Sequence, residues 1–192
     1  MKIVQQIEFS SVLFDTLFGL ILFFCLDSFL EIKGVPPLIF YLFSIVIVVH
    51  WWLNFKSADD AFGEEVTDSA IDLVFGIIYV ILIEYIILNA KLFAVTTAIW
   101  FLISLLAVDL IWALIWRYVG RWNTTDKEKI KRMEKELDNC LLVNSATIAV
   151  FIFLIIMAQF LSPALYIAGF IILYIIFIIA TFRTKIIDLR IF

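Results

Sequence analysis

Acidic side chains lie within several long apolar stretches of this chain. Asp15, Asp72 and Asp109 each interrupt such a stretch, and the single histidine, His50, lies in another. An ionised carboxylate in an apolar medium costs about 3 kcal/mol on insertion scales, so such groups normally face protein or water. Acids at the mouth of a pore attract cations, whereas a histidine beside acids can relay protons. These residues are therefore the first candidates for chemistry.

A membrane is the apolar medium that the composition indicates. Hydrophobic residues make up 65% of the 192 residues and charged residues only 17%, against about 45–50% and about 25% in soluble domains. This excludes a soluble enzyme and a nucleic-acid-binding domain. The sequence predicts an all-α integral membrane protein, a single domain over 1–192 with six transmembrane helices. We expect the helices at about 9–31, 36–55, 69–89, 92–116, 141–161 and 164–182.

The positive charges predict the orientation of these helices. With the N-terminus inside, twelve of the 14 lysines and arginines fall on the inner side, and only Lys33 and Lys91 fall outside. Both termini are then cytoplasmic. The polar segment 117–139 is cytoplasmic too, and its residues 125–138 predict a helix, with Thr125 and Glu128 as a capping box. This helix is interpreted as a solvated extension of the fourth or fifth helix; the alternative, docking to lipid headgroups, is less favoured because five acids offset the seven bases of the segment.

Depth estimates place polar groups from five of the six helices in one inner layer. Besides the three aspartates, this polar network contains His50, Asn144 and Arg117, and Arg117 is predicted to reach Asp109 or Asp72. The layer is either a set of bonds between helices or the inner end of an ion path. A sparser outer set, either an outer mouth or an interfacial group, contains Asp27, Glu31 and Glu84.

Between these layers the first helix is almost purely apolar. Gly19, Leu22 and Leu26 follow Asp15 by four, seven and eleven residues, which places all four on one side of a helix. Such a stripe can close a pore to ions by dewetting, and it can equally pack against a neighbouring helix.

An internal repeat relates the first and third helices. Asp15, Phe18 and Gly19 match Asp72, Phe75 and Gly76 at an offset of 57 residues, which also relates Asp27 to Glu84. The pattern suggests that helices 1–2 and 3–4 are related hairpins, as in membrane transport proteins built from parallel repeats.

Catalytic signatures are missing from the sequence. It contains no G-x-S-x-G, no HExxH and no phosphate-binding glycine loop, and one histidine cannot build a His-rich metal site. We therefore expect no enzyme, no cofactor and no metal.

Several short segments resemble one known family. From Asp15 onward, the segment 13–20 is similar to the first-helix motif Arg-x-x-x-Phe-Ser-Asp and the run that follows it in the prokaryotic relatives of the endolysosomal potassium channel. Phe9 stands at the arginine position, and Leu13 and Phe14 replace the Phe-Ser pair. The segments 51–54, 114–118 and 160–164 also resemble that family. The resemblance implies six helices, an oligomeric potassium-permeable channel and a pore lined by the first helix, with Asp15 at the motif aspartate.

The sequence thus favours an oligomeric cation channel with an acidic inner mouth and a hydrophobic constriction on the first helix. Its ion path would contain Asp15, Gly19, Leu22, Leu26, Asp72 and Asp109. The expected partners are the lipid bilayer, monovalent cations and further copies of the chain, in a prokaryotic plasma membrane, with no nucleic acid. Two alternatives remain: a non-conducting scaffold or effector subunit acting through 117–139, and a proton-coupled transporter using His50 and the buried acids.

Overall fold

The computed structural model of the chain describes the backbone of residues 2–62, 69–118 and 125–189. It describes the side chains of residues 15–54, 73–118 and 125–181. Every regular element in these ranges is a helix and none is a strand, so the predicted all-α class is confirmed.

Six α-helices make up the described chain. They are α1 (Lys2–Ser28), α2 (Val35–Phe62), α3 (Ser69–Lys91), α4 (Val95–Tyr118), α5 (Lys127–Met157) and α6 (Pro163–Leu189). Short 3-10 turns follow α1 at Phe29–Glu31 and α5 at Ala158–Phe160.

Five segments of the described residues are long and apolar enough to cross a membrane. They are Val35–Asn54, Leu73–Lys91, Val95–Tyr118, Lys127–Phe160 and Pro163–Thr181. A helix rises about 1.5 Å per residue, so about 20 residues cover the hydrocarbon layer of a bilayer. The number of spans and the side on which the termini lie remain predictions.

Glycine and proline account for the break between α1 and α2. Gly34 has a φ of +92°, in the left-handed region that favours glycine. Pro36 and Pro37 follow in the first turn of α2, where the amide hydrogen that proline lacks would have no partner within the helix. The chain therefore stops one helix and starts the next within a few residues.

The cytoplasmic helix predicted at 125–138 and the fifth predicted span are one continuous helix, α5. The cap of this helix differs from the prediction by one residue. The carboxylate of Asp126, rather than the Thr125 side chain, accepts hydrogen bonds from the backbone amides of Glu128 and Lys129. Aspartate is among the best N-cap residues, and its negative charge also favours the positive end of the helix dipole.

The helices group into two compact units, whose boundary lies within α4 after Leu105. In the first unit, α1, α2 and α3 pack against one another. The Tyr41 hydroxyl, early in α2, donates to the carbonyl of Cys25, late in α1. Lys91, at the end of α3, forms an ion pair with Glu31, just beyond α1. Successive helices of this unit therefore run in opposite directions.

The second unit contains the rest of α4 with α5 and α6. Aromatic rings pack between α5 and α6, with the ring centroids of Phe151 and Phe170 5.6 Å apart. A Cβ on Gly169 would lie 3.4 Å from a methyl carbon of Leu154, so glycine lets the two helices approach closely here. The predicted single transmembrane domain is not tested by this grouping.

Candidate functional site

The first polar cluster joins the early part of α1 to the late part of α2. Trp52 Nε1 donates a hydrogen bond of 3.0 Å to Asp15 Oδ1, and both side chains are half-buried. A bond from a neutral donor to a carboxylate is stronger than one between neutral groups. Asp15 is therefore held against α2.

His50, also late in α2, contacts a residue of its own helix. Its ring is 3% exposed, and its Nε2 lies 3.0 Å from the amide nitrogen of Asn54, one turn later. Because an amide nitrogen only donates, this contact suits a neutral imidazole with its proton on Nδ1. The neighbouring Trp51 is buried against the ring of Tyr79, and no described residue accepts a hydrogen bond from its Nε1.

A second cluster links α4 to α5. Asn144 Nδ2 donates to Asp109 Oδ2 at 2.5 Å, and the Cys140 thiol lies 3.3 Å from the same oxygen. Asn144 is only 4% exposed, whereas Asp109 is half-buried. We call these three residues the Asp109 cluster. The structure thus joins Asp109 to Asn144, two members of the predicted inner layer, and Cys140, one turn before Asn144, is an addition that sequence reasoning missed.

Arg117 binds other partners than those predicted for it. Its Nε donates to Asp138 at 2.9 Å and a terminal nitrogen donates to Glu134 at 3.2 Å, whereas no contact joins it to Asp109. The side chain of Asp72 lies outside the described residues. Glu134 and Asp138 are four residues apart and so share one side of α5. That spacing was visible in the sequence and would have identified them as a two-acid partner for an arginine.

The predicted outer set is only partly engaged. The carboxylate of Glu31 lies 2.6 Å from the Lys91 ammonium, which is also 3.4 Å from the Ser28 hydroxyl. Asp27 and Glu84 are exposed, and neither forms an ion pair within the described part of the chain. The structure thus joins one of the three acids to the end of α3.

The predicted stripe on α1 is largely uncovered by its own chain. Gly19 is exposed, and a Cβ at this position would meet no side chain or other helix within 4 Å in the described part of the chain; Leu26 is 67% exposed. Leu22 is half-buried, as is Asp15 at the head of the stripe. The stripe thus lies at the edge of an open face of α1.

Counterpart residues of the suggested repeat differ in exposure. Gly19 is exposed, whereas its counterpart Gly76 is buried. Phe18 is buried, whereas its counterpart Phe75 is half-buried. The two halves of the pattern therefore use different sides of their helices for packing, and the repeat remains a prediction.

Comparison with known proteins gives no relative for this chain. No protein-family model, no curated protein and no solved structure matches it. Among the residues whose side chains are described, no group of three or more histidines, cysteines and acids is arranged to hold a metal ion.

Proposed function

We propose that the chain is an integral membrane protein with six spans and both termini inside. We further propose that it assembles into an oligomer that conducts monovalent cations along α1. The observation that carries this proposal is the open stripe of α1, with Asp15 at its inner end and Gly19 and Leu26 uncovered. The resemblance of the segment 13–20 to the potassium channel relatives implies the same arrangement.

The stripe has the properties that a pore-lining helix needs. A glycine on an open helix face lets a neighbouring backbone approach closely, which favours association between helices in a bilayer. Leu26 lies seven residues beyond Gly19 and so faces the same side, where an apolar ring narrows and dries a path. Asp15, anchored by Trp52, would raise the cation concentration at one end of that path.

In this proposal Asp109 is a structural tie rather than part of the path. Its carboxylate accepts bonds from Asn144 and Cys140 of the same chain. A carboxylate satisfied in this way connects α4 to α5. The sequence placed Asp15 and Asp109 in one ion path, whereas this proposal keeps Asp15 in the path and assigns Asp109 to the contact between α4 and α5.

Ion flux from potassium-loaded liposomes containing the purified protein tests the proposal. We expect flux in the unmodified protein, a loss of at least tenfold in Asp15→Asn, and an increase in Leu26→Ala. Asp15→Asn removes the charge but keeps an oxygen that can accept from Trp52. The controls are Asp109→Asn, a second acid of the same chain, and Leu142→Ala, whose leucine is 70% exposed on α5; both should conduct normally.

A non-conducting scaffold is the second candidate, because the charges of its proposed working surface are paired within one chain. Arg117 pairs with Glu134 and Asp138, which joins the end of α4 to α5 within the segment 117–139 through which a scaffold would act. No flux under potassium, sodium or proton gradients from a correctly folded oligomer would favour this candidate. Proton flux that His50→Gln abolishes would instead favour the transporter.

A further inference from the structure

Glu84 is an exposed acid on an otherwise apolar side of α3. Ile77, Ile81 and Leu88 lie on the same side of the helix, at spacings of three and four residues, and are exposed as well. Glu84 lies seven residues before Lys91, where the apolar segment ends, and is therefore about 10 Å inside that segment. It forms no ion pair or hydrogen bond within the described part of the chain. A carboxyl group at that depth is costly in lipid, so it calls for a partner that donates a hydrogen bond.

Trp100 is an exposed donor at the same level on α4. Only three residues separate Lys91, which ends α3, from Val95, which starts α4, so the two helices form an antiparallel hairpin. The rings of Tyr85 and Phe101 stack between these helices, with their centroids 4.9 Å apart, and this contact fixes their register. Trp100 is 49% exposed, and its Nε1 donates to no residue that the structure describes. The indole is therefore available to an acceptor outside the chain.

The ring contact places Glu84 and Trp100 on the same side of the hairpin. Each of them precedes one of the stacked rings by one residue. Because the helices run in opposite directions, a step back along each of them turns in opposite senses and leads to the same side of the pair. The two residues then differ in depth by only about 3 Å. We call the exposed residues on this side the hairpin surface: Ile77, Ile81, Glu84, Leu88 and Trp100.

A second copy of the chain is the partner that the hairpin surface fits. A two-fold axis along the membrane normal keeps every residue at its own depth and exchanges the two helices of the hairpin. Glu84 of one copy then faces Trp100 of the other, and the reverse, so one contact satisfies both groups twice. The chain already uses such a pair internally, where Trp52 Nε1 donates to Asp15 at 3.0 Å. A lipid chain offers neither a donor nor an acceptor at this depth.

We propose that the hairpin surface binds a second copy of the chain, with Trp100 Nε1 of each copy donating a hydrogen bond to the Glu84 carboxyl group of the other. This inference rests on the membrane insertion and assembly proposed above, but not on conduction. The apolar residues on either side of Glu84 supply the packing around the two bonds. The surface is separate from the open stripe of α1, so a path along α1 can be present or absent without changing it.

Disulfide cross-linking in vesicles tests which residues face each other. Two tagged forms of the full chain, both carrying Cys25→Ala/Cys140→Ala, are reconstituted together, one with Glu84→Cys and the other with Trp100→Cys. A mixed pair keeps one of the two proposed bonds. We expect mild oxidation to join the two forms at least fivefold more efficiently than a matched control, in which Ile172→Cys replaces Glu84→Cys. Ile172 is likewise exposed, on α6.

Energy transfer between labelled chains, measured against the protein-to-lipid ratio, tests the bond itself. We expect Glu84→Leu and Trp100→Phe each to weaken the dimer about tenfold, because each removes both copies of the bond. The combined variant should lose no more than either single one, since the same bonds are removed. Glu84→Gln keeps an accepting oxygen and should retain most of the association. The control is Asp27→Leu, which removes another exposed acid, on α1, and should leave the association unchanged.

The possible results separate this contact from its alternatives. Cross-linking no better than that of the control would overturn the proposal, and so would unchanged association in Glu84→Leu and Trp100→Phe, because lipid would then cover the surface. Losses that add in the combined variant would also overturn it, since the two residues would then have different partners. A dimer that behaves as expected but shows no ion flux would refute the channel and leave this inference standing.

Discussion

Replacing Asn144 by alanine tests the role of the Asp109 cluster most directly. Asn144 is buried and donates to Asp109 across the α4–α5 contact. The substitution removes this donor from the carboxylate, which also accepts from the Cys140 thiol. We therefore expect a loss of stability that depends on the presence of Asp109.

The expected loss is about 1.5 kcal/mol. Hydrogen bonds between helices in a membrane average about 0.6 kcal/mol and reach about 1.7 kcal/mol, and bonds to charged groups lie at the upper end of the range. The short contact of 2.5 Å and the burial of Asn144 favour the upper end. Alanine has a higher helix propensity than asparagine, and this difference offsets a few tenths of a kcal/mol of the loss in stability.

Reversible unfolding in mixed micelles, followed by the loss of helical circular dichroism, measures this loss. A double-mutant cycle with Asp109→Ala isolates the pair, and we expect a coupling of about 1 kcal/mol. The control is Asn89→Ala. Asn89 Nδ2 donates at 2.8 Å to a carbonyl of its own helix, so its loss should change stability by less than about 0.5 kcal/mol.

The reasoning fails if the coupling between the two positions is below about 0.3 kcal/mol. It fails equally if Asn89→Ala costs as much as Asn144→Ala. In the first case the carboxylate and the amide would be neighbours without energetic consequence. In the second, the cost would reflect the general loss of an asparagine rather than a bond between helices.

Three further variants test other contacts. Arg117→Gln should raise the amide hydrogen exchange of residues 127–138 severalfold, since its ion pairs with Glu134 and Asp138 hold this part of α5 to the end of α4; unchanged exchange would contradict this. Trp52→Phe should lower the free energy of unfolding by about 1 kcal/mol, and by no more than Asp15→Ala does, because both substitutions remove the same hydrogen bond. In monomeric chains in micelles, Gly19→Ala should stabilise the fold by about 0.5–1 kcal/mol, more than Gly169→Ala, whose Cβ would meet a neighbouring side chain. If Gly169→Ala stabilised the chain as much as Gly19→Ala or more, these unfolding measurements would refute the open face of α1.

Apolar runs and helix-breaking residues predicted the helices well. Gly34 and the two prolines after it gave the start of α2, and Pro163 gave the start of α6. The solvated helix at 125–138, expected to extend the fourth or the fifth helix, extends the fifth, because nothing at the polar residues Asn139 and Cys140 interrupts a helix. A change in polarity thus indicated where a helix leaves an apolar environment, and it was no guide to where the helix ends.

The candidate site was predictable in its residue types but not in its pairings. Depth along each helix placed Asp15, Asp109 and Asn144 among the polar groups, and the structure joins the last two. Rotation about each helix axis, which decides partners, depends on packing against neighbouring helices. For that reason the sequence offered Asp109 or Asp72 as the partner of Arg117, whereas the structure joins Arg117 to two acids on α5.

The continuity of α5 has a mechanical consequence. Its 31 residues form one rod of about 46 Å, and a helix resists twisting because every turn is closed by hydrogen bonds. A rotation imposed on the charged end therefore reaches Asn144 with little loss, and that amide cannot turn without pulling away from Asp109. A partner that binds and rotates the exposed end of α5 thereby applies a torque to the hydrogen bond between Asn144 and Asp109.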